Sequence, residues 1–370
     1  MAEPVPILLD GSQGEGGGQI LRTALSLSAV TGRPFAIHRI RANRLKPGLR
    51  PQHREAARAM ARLCDAEVAG AEVGSSRLEF RPRRAAEAGR YELDIGTAGS
   101  APLLLQTLCW PLALAGAPSH LTLRGGTHLQ ASPSFHYLAL VWAPAVARLG
   151  FRVELELQAA GFYPEGGGEM TAVVHPAHAM PPLDLRHRGV LRDVEVLAVV
   201  GGQEYDVAER LAAGALRRLR DMGVAAEANR IPVPAPRSAG SHLLLSAQYD
   251  RTRGGHGETG DRAAAPDRLA DAAVRSFAAF LRGGAAVDRF LGDQLLLPAA
   301  LLAAGRVPSP EGVVPATRYT VSAVTRHLAT NVEVARRFLS PEIAVFGRQE
   351  EEGEVRVQPA GAAVEVGPLR

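Results

Sequence analysis

The chain has 370 residues, 46% of them hydrophobic and 22% charged, enough apolar material for one large domain plus a smaller one, or for two of ordinary size. No window approaches the ~18 consecutive apolar residues of a membrane span, and the opening MAEPVPILLDGSQGEGGG lacks the basic and then apolar stretches of a secretory signal, which places the protein in the cytoplasm. The formal charge of +4 is compatible with an anionic partner but too mild to identify one.

Cys64 and Cys109 are the only cysteines. Each sits in a helix-like apolar segment and reads as a reduced core residue rather than half of a disulfide, and two thiolates alone make no zinc site. Lys46 is the only lysine, so nearly all positive charge is arginine.

In chain order, Pro6 to Asp10 reads as a strand that runs through Gly11-Ser12-Gln13-Gly14-Glu15-Gly16-Gly17-Gly18 into a helix over Gln19 to Ala29. Glycines permit close backbone approach and a helix start offers unpaired N–H groups, so an anion such as a phosphate fits there. Gln19 and Arg22 fall on one helix face, and Glu15 suits a divalent cation that screens phosphates; a tight turn with a solvated glutamate is the plainer alternative. Phe35 to Ile40 is a second strand, and Pro51 to Cys64 a second helix. Between them Arg39, Arg41, Arg44, Lys46, Arg50, Gln52 and His53 surround the turn Lys46-Pro47-Gly48-Leu49, a cationic connection able to clamp a polynucleotide end or to lie solvated.

Further strands are expected at Leu78 to Arg81, His120 to Leu123 and Arg152 to Leu157, and helices at Ala101 to Leu114 and Ser134 to Leu149. Gly96-Thr97-Ala98-Gly99-Ser100, before the helix carrying Gln106, and Gly125-Gly126-Thr127-His128 through Ser132-Pro133 are further candidate ligand loops. Glu165-Gly166-Gly167-Gly168-Glu169 echoes Glu15-Gly16-Gly17-Gly18-Gln19, a suggestion of internal repetition.

From about Leu185 the texture changes: a strand at Val194 to Val200, a helix at Tyr205 to Asp221, a proline-rich connection Ile231 to Pro236, a strand at Leu243 to Ala247, a glycine-rich mobile turn or hairpin tip over Arg251 to Asp261, and a long helix around Pro266 to Leu281. This compact unit, 185–283, reads as a small α/β insertion into a discontinuous larger domain, 1–184 and 284–370. Beyond it, Asp293 and Gln294 interrupt an apolar helix within Arg289 to Pro298, their polar groups directed either to a ligand or to water. Alternation along Val321, Ala323, Thr325 and His327 ends a strand at His327, and Thr330-x-x-Glu333 reads as the capping box of the next helix. An imidazole there suits a nucleophile beside free helix amides; a strand-terminal histidine without a role is the alternative.

Taken together, DGSQGEGGGQILR, RANRLKPGLRPQH, GTAGSAPLLLQTL, GFYPEGGGE, FLGDQLLLP and RHLATNVEVARRF resemble, in this order, the RNA 3′-terminal phosphate cyclase family, from Leu9 to about Ile343. The resemblance implies an α/β (α+β) fold: a large domain of repeated βαβαββ units, similar to the enolpyruvyl transferases, interrupted by a smaller α/β module. It implies that His327 takes AMP from ATP, passes it to an RNA 3′-phosphate, and so permits closure to a 2′,3′-cyclic phosphate. Adenylylating ligases use a lysine in a KxDG setting, whereas Lys46 precedes Pro-Gly-Leu, which leaves histidine as the covalent carrier. By the same resemblance Glu15 holds Mg2+ or Mn2+; Arg22, Arg41, Arg44 and Gln52 meet phosphates of ATP or RNA; and Gln19, Gln106, Pro133, Phe290, Leu291, Gly292, Asp293 and Gln294 belong with ATP. Ala160, where relatives carry a basic residue, and His128-Leu129-Gln130 depart from the family pattern. A ribosome-assembly relative without the histidine, an enolpyruvyl-type enzyme and an RNA-binding scaffold are the alternatives, and a homodimer is left open.

Overall fold

The computed structural model describes residues 4–309, 312 and 314–361; the outer limits expected for the larger domain, 1 and 370, lie outside them. The first unit comprises β1 (Ile7–Asp10), α1 (Gln19–Thr31), β2 (Phe35–His38), α2 (Pro51–Cys64), β3 (Glu67–Ala69) and β4 (Leu78–Arg81). Its strands lie in the order β1-β2-β4-β3, β1 parallel to β2 and the other pairs antiparallel. Gly32 stops α1 with a φ of 71°, its N–H bonded to Ser28 O, a left-handed ending that glycine adopts without strain. Pro51 opens α2, where a missing N–H costs no helical hydrogen bond.

The second unit repeats this plan. It runs β5 (Arg90–Asp94), α3 (Ala101–Ala113), β6 (Ser119–Gly125), the short α4 (Phe135–Tyr137), a π-helical stretch Leu138–Trp142, α5 (Ala143–Ala147), β7 (Val153–Ala159) and β8 (Gly168–Val174), in the order β5-β6-β8-β7. The helix expected over Ser134 to Leu149 is therefore interrupted: the Ala143 N–H reaches back to Leu138 O, just before Pro144, which has no N–H to continue the regular ladder.

The third unit begins with β9 (Leu183–Leu185). Between it and α8 (Arg289–Gln294) the chain forms a separate sheet from β10 (Leu191–Gly201), β11 (Glu227–Val233), β12 (Gly240–Tyr249) and β13 (Arg253–Asp261), with α6 (Tyr205–Asp221) after β10 and α7 (Pro266–Arg282) after β13. The unit then resumes with α9 (Leu296–Ala303), β14 (Thr317–Val321), α10 (Arg326–Phe338), β15 (Glu342–Phe346) and β16 (Gly353–Gln358). Its sheet, β9-β14-β16-β15, has the same spatial order as the first two, with β9 parallel to β14.

Two expectations for the middle stretch are corrected. Of Arg251 to Asp261 only Arg251 and Thr252 lie in the hairpin turn, because Arg253–Asp261 is an edge strand antiparallel to β12. Its glycines serve close packing, since a Cβ at Gly254 would lie 2.5 Å from the Phe280 ring. The proline-rich connection begins inside a strand, because Ile231-Pro232-Val233 closes β11. β11 pairs only with β10 and lies at the sheet edge, where proline's missing donor breaks no ladder.

One apolar cluster joins all three repeated units and includes Leu25, Phe35, Trp110, Trp142, Leu301 and Tyr319. Burying a side chain such as Leu25 contributes roughly 2 kcal/mol. A second cluster lies between α6, α7 and one face of the β10–β13 sheet, from Leu211, Ala215, Leu245 and Phe277 among others. The opposite face supplies Leu197, Val199 and Leu244 to the first cluster. Among the described residues no helix is long and apolar enough to cross a membrane, and both cysteines are buried and free.

Candidate active site

The parallel strand pairs of the three units deliver their strand-to-helix connections to one region, the usual place for ligands in such sheets. Asp10 to Gly18 leads into α1, the Arg39 to Arg50 connection into α2, Gly96 to Ser100 into α3, and Ser322 to Thr325 into α10. The glycine-rich connection presses against α10: a Cβ at Gly14 would sit 2.1 Å from Thr330 Oγ1, and the Glu15 N–H faces that hydroxyl at 3.4 Å.

His327 lies in the first turn of α10, not at the end of a strand. β14 stops at Val321, and Thr325 is the N-cap, its hydroxyl accepting from the Leu328 N–H. Thr330 does not cap; its hydroxyl donates to Arg326 O from inside the helix. The expected capping box therefore lies one turn too late: Thr325 has Leu328, not Glu or Gln, three residues on, so the box pattern is absent at the true start.

A polar chain fixes the imidazole. Asp293 accepts from Gln19 Nε2 at 3.2 Å and from Asn331 Nδ2, and the Asn331 carbonyl accepts from the Thr23 hydroxyl at 2.6 Å. Because the Gln19 amide donates to a carboxylate, its oxygen faces His327 Nδ1 at 2.8 Å. Nδ1 must then carry the proton, which leaves the lone pair on Nε2. Nε2 points to Glu15, 2.8 Å from Oε2. That contact lacks hydrogen-bond geometry, and Oε2 is a buried oxygen without a hydrogen-bond partner. The other carboxylate oxygen of Glu15 pairs with Arg44.

Burial pushes the His327 imidazole below its ordinary value; Asp293 opposes this, and the Arg22, Arg44 and Arg289 guanidiniums reinforce it. Burial likewise pushes Asp293 up, against its hydrogen bonds and the neighbouring cations, and lowers Arg22 to about 10, with Asp293 opposing. The site is thus an imidazole whose basicity burial lowers, ringed by guanidiniums, with Glu15 Oε2 set against its Nε2.

Around this centre the expected residues fall into three places. Arg41 donates to Lys46 O at 2.6 Å and Gly48 O at 3.1 Å, so it braces the cationic loop from within, while Arg44 reaches Glu15. Gln52 accepts from the Ser100 N–H at 2.9 Å, and Ser100 Oγ lies 2.6 Å from Ser132 Oγ, beside Pro133. Gln106 donates to Gln294 at 2.9 Å. Phe290 is 41% exposed, flanked by the Tyr137 and His256 rings, whereas Leu291 and Gly292 are buried and present no side chain to the opening. Asp293 and Gln294 thus bond to protein side chains rather than simply facing water.

Sequence reasoning passed over Thr23 and Asn331, each four residues beyond a residue it named, Gln19 and His327, and so one turn along the same helix face. It saw His53 only as part of the cationic stretch. The ring is buried and pressed on the glycine-rich turn, where a Cβ at Gly18 would meet Nε2 at 2.1 Å. Nδ1 accepts the Arg50 N–H at 3.1 Å, and burial, with Arg22, Arg41 and Arg50, lowers it to about 3.

Among the described residues no cluster of three or more His, Cys, Asp or Glu could hold a metal ion. The donor set still fits a magnesium-like ion bound through one carboxylate, because Glu15 Oε2 accepts no hydrogen bond and such an ion takes its remaining ligands from phosphates and water.

Residues 13–345 match the family model described as RNA 3′-terminal phosphate cyclase. Relatives bearing that name include a protein of Methylococcus capsulatus, 42% identical over 95% of this chain and 97% of its own. Another, of Trichormus variabilis, is 41% identical over 91% and 95%, and a third, of Methanopyrus kandleri, 38% identical over 96% and 99%. With a family match across nearly the whole sequence and relatives of this identity and coverage, the chain belongs to the RNA 3′-terminal phosphate cyclase family.

Proposed function

We propose that the protein is an ATP-dependent ligase that converts an RNA 3′-terminal phosphate into a 2′,3′-cyclic phosphate, with His327 as the covalent carrier of AMP. The observation that carries this reading is the placement of the imidazole, with Nδ1 held by the Gln19 carbonyl and Nε2 turned to Glu15 among guanidiniums. Nε2 attacks the α-phosphorus of ATP, a P–N bond forms, and pyrophosphate leaves. An oxygen of the RNA 3′-phosphate then attacks that phosphorus, the P–N bond breaks, and His327 is regenerated. The 2′-hydroxyl finally attacks the 3′-phosphorus, gives up its proton, and expels AMP. A phosphate monoester oxygen leaves poorly, whereas AMP leaves readily from a phosphoanhydride.

Arg22 and Arg44 flank the position of charge build-up, where fixed cations lower the barrier without reorganising. The first turn of α10 adds unpaired amides and the positive end of its dipole. A magnesium or manganese ion held by Glu15 Oε2 would screen phosphate charge beside the nucleophile. Phe290, Pro133, Gln106 and Gln294 form the wall read as the adenosine side, and Arg41 and Gln52 support the side read as facing RNA. We read 185–283 as an insertion into this catalytic body and the setting as cytoplasmic, which suits two reduced thiols.

Incubation with α-labelled ATP and magnesium tests the mechanism. Acid-labile, alkali-stable label on the protein is expected, absent from His327→Ala and His327→Asn. A wild-type protein that takes no label removes the adenylylation step.

A further inference from the structure

The second glycine-rich motif, Gly161 to Glu169, takes no part in the centre described above, yet contacts connect the two. Gln52 bonds to the Ser100 amide, and a Cβ at Gly99 would lie 2.9 Å from Gln52 Cβ, so α2 and the 96–99 connection touch without a gap. The turn between β7 and β8 packs on that connection in turn: a Cβ at Gly166 would lie 2.8 Å from Ala98 Cα. Next along, Gly167 supports the stem of Arg237, whose Cγ and Cδ lie 2.6 Å from where a Cβ would be, and the Glu165 N–H bonds to Ser238 Oγ at 3.0 Å. A continuous wall therefore runs from Gln52 to the segment linking β11 and β12.

At its far end stand two side chains the fold does not use. Phe162 is buried against the His128 ring, centroids 5.4 Å apart, and this anchor leaves the next residue, Tyr163, 69% exposed. Arg237 is exposed and makes no ion pair among the described residues, although its stem is held in place. An exposed aromatic ring on this hairpin and a guanidinium whose stem packs on the same hairpin at Gly167 together offer the chemistry that receives single-stranded nucleic acid, the ring stacking on a base and the cation meeting a phosphate. Glu165, exposed between Tyr163 and Gly166, repels phosphate there and favours a base rather than backbone at the tip.

We propose that this wall is a docking track for the single-stranded RNA that precedes the 3′-terminal phosphate, with Tyr163 stacking on an unpaired base and Arg237 binding a phosphate. The proposal rests on the reading that the His327 centre acts on an RNA 3′ end. It sets the substrate class as an unpaired 3′ tail of several nucleotides, not the end of a duplex.

The test compares binding of a 3′-phosphorylated dinucleotide and an oligoadenylate of about eight nucleotides, a length within single-strand site sizes. Fluorescence anisotropy is read on wild type, Tyr163→Ala, Tyr163→Phe and Arg237→Ala, with ATP-derived protein label measured in parallel. The longer RNA is expected to bind wild type roughly tenfold tighter than the dinucleotide, the worth of one stacked base. Tyr163→Ala and Arg237→Ala should lose most of that gain, Tyr163→Phe should keep it, and all three should retain label from ATP. Arg237→Ala should also lower the slope of log affinity against log salt by about 0.7. Equal wild-type affinity for both lengths, unchanged affinity in the alanine variants, loss in Tyr163→Phe, or equally tight binding of a blunt duplex each overturns the track. Absent label in wild type defeats the adenylylation reading alone, because the anisotropy comparison stands without it.

Discussion

The His327 ring is oriented by an amide, not a carboxylate, since the Gln19 carbonyl faces Nδ1. Gln19→Leu removes the acceptor for Nδ1–H and lets the ring rotate and change tautomer. The expected result is an adenylylation rate roughly 100-fold lower, the scale of a misplaced reacting group, with ATP affinity changed far less. Single-turnover labelling decides it, and an unchanged rate would rule out the positioning role. Gln19→Glu gives a complementary signature: an anion on Nδ1 raises the imidazole value, so less of it is neutral near pH 7 and the acid limb of the rate profile moves to higher pH. At this scale Glu15, Gln19, Arg22, Arg44, Asp293 and His327, all named from sequence, lie in one connected group. Thr23 and Asn331 escaped notice because a lone threonine or asparagine within a helix carries no pattern of its own; only the fold shows that their hydroxyl and amide meet.

The elements were legible where periodicity was strong. α2 and α6 begin and end at the residues expected, because Pro51 marks one start and the apolar faces repeat every three to four residues. The boundary at α10 was misplaced because Thr330 and Glu333 mimic a start signal that the helix has already passed. The difference is measurable. Thr325→Ala should cost about 1 kcal/mol of stability through loss of the cap, whereas Glu333→Ala, at an exposed position, should stay within about 0.5 kcal/mol. Denaturant unfolding of the two variants is the check, and the reverse order would restore the later start. β13 was misread for a different reason: glycine spacing says nothing about whether a segment turns or lies flat against Phe280, and only the packing partner decides.

Across the whole molecule, alternating strands and helices pointed to repeated units, but the identity of the repeat did not show in the letters. The echo between Glu15-Gly16-Gly17-Gly18 and Glu165-Gly166-Gly167-Gly168 joins non-equivalent places, a strand-to-helix turn and a hairpin, whereas the true equivalence lies in strand order. Where the second unit meets the β10–β13 sheet, His128, His136 and His242 are buried together, with centroids about 5 Å apart. Burial holds all three below the ordinary range: His128 well below, His136 at about 4 and His242 at about 3. The unfolded chain takes up these protons near pH 6.5 and the folded chain only at lower pH. Stability should therefore decline as pH falls from about 6.5, by roughly 3 kcal/mol for His136 alone by pH 4. Melting against pH is expected to show a shallower decline in His242→Asn, and a wild-type curve that is flat between pH 7 and 4 would contradict the assignment. The Gln19–His327 hydrogen bond spans 308 positions of the chain, and that span sets when chemistry can begin. A ribosome that has released the first two units has produced the cationic loops but not the imidazole, so the Gln19–His327 pairing forms only once α10 docks beside α1. On the proposed chemistry, a fragment ending before that helix lacks the group that would carry AMP.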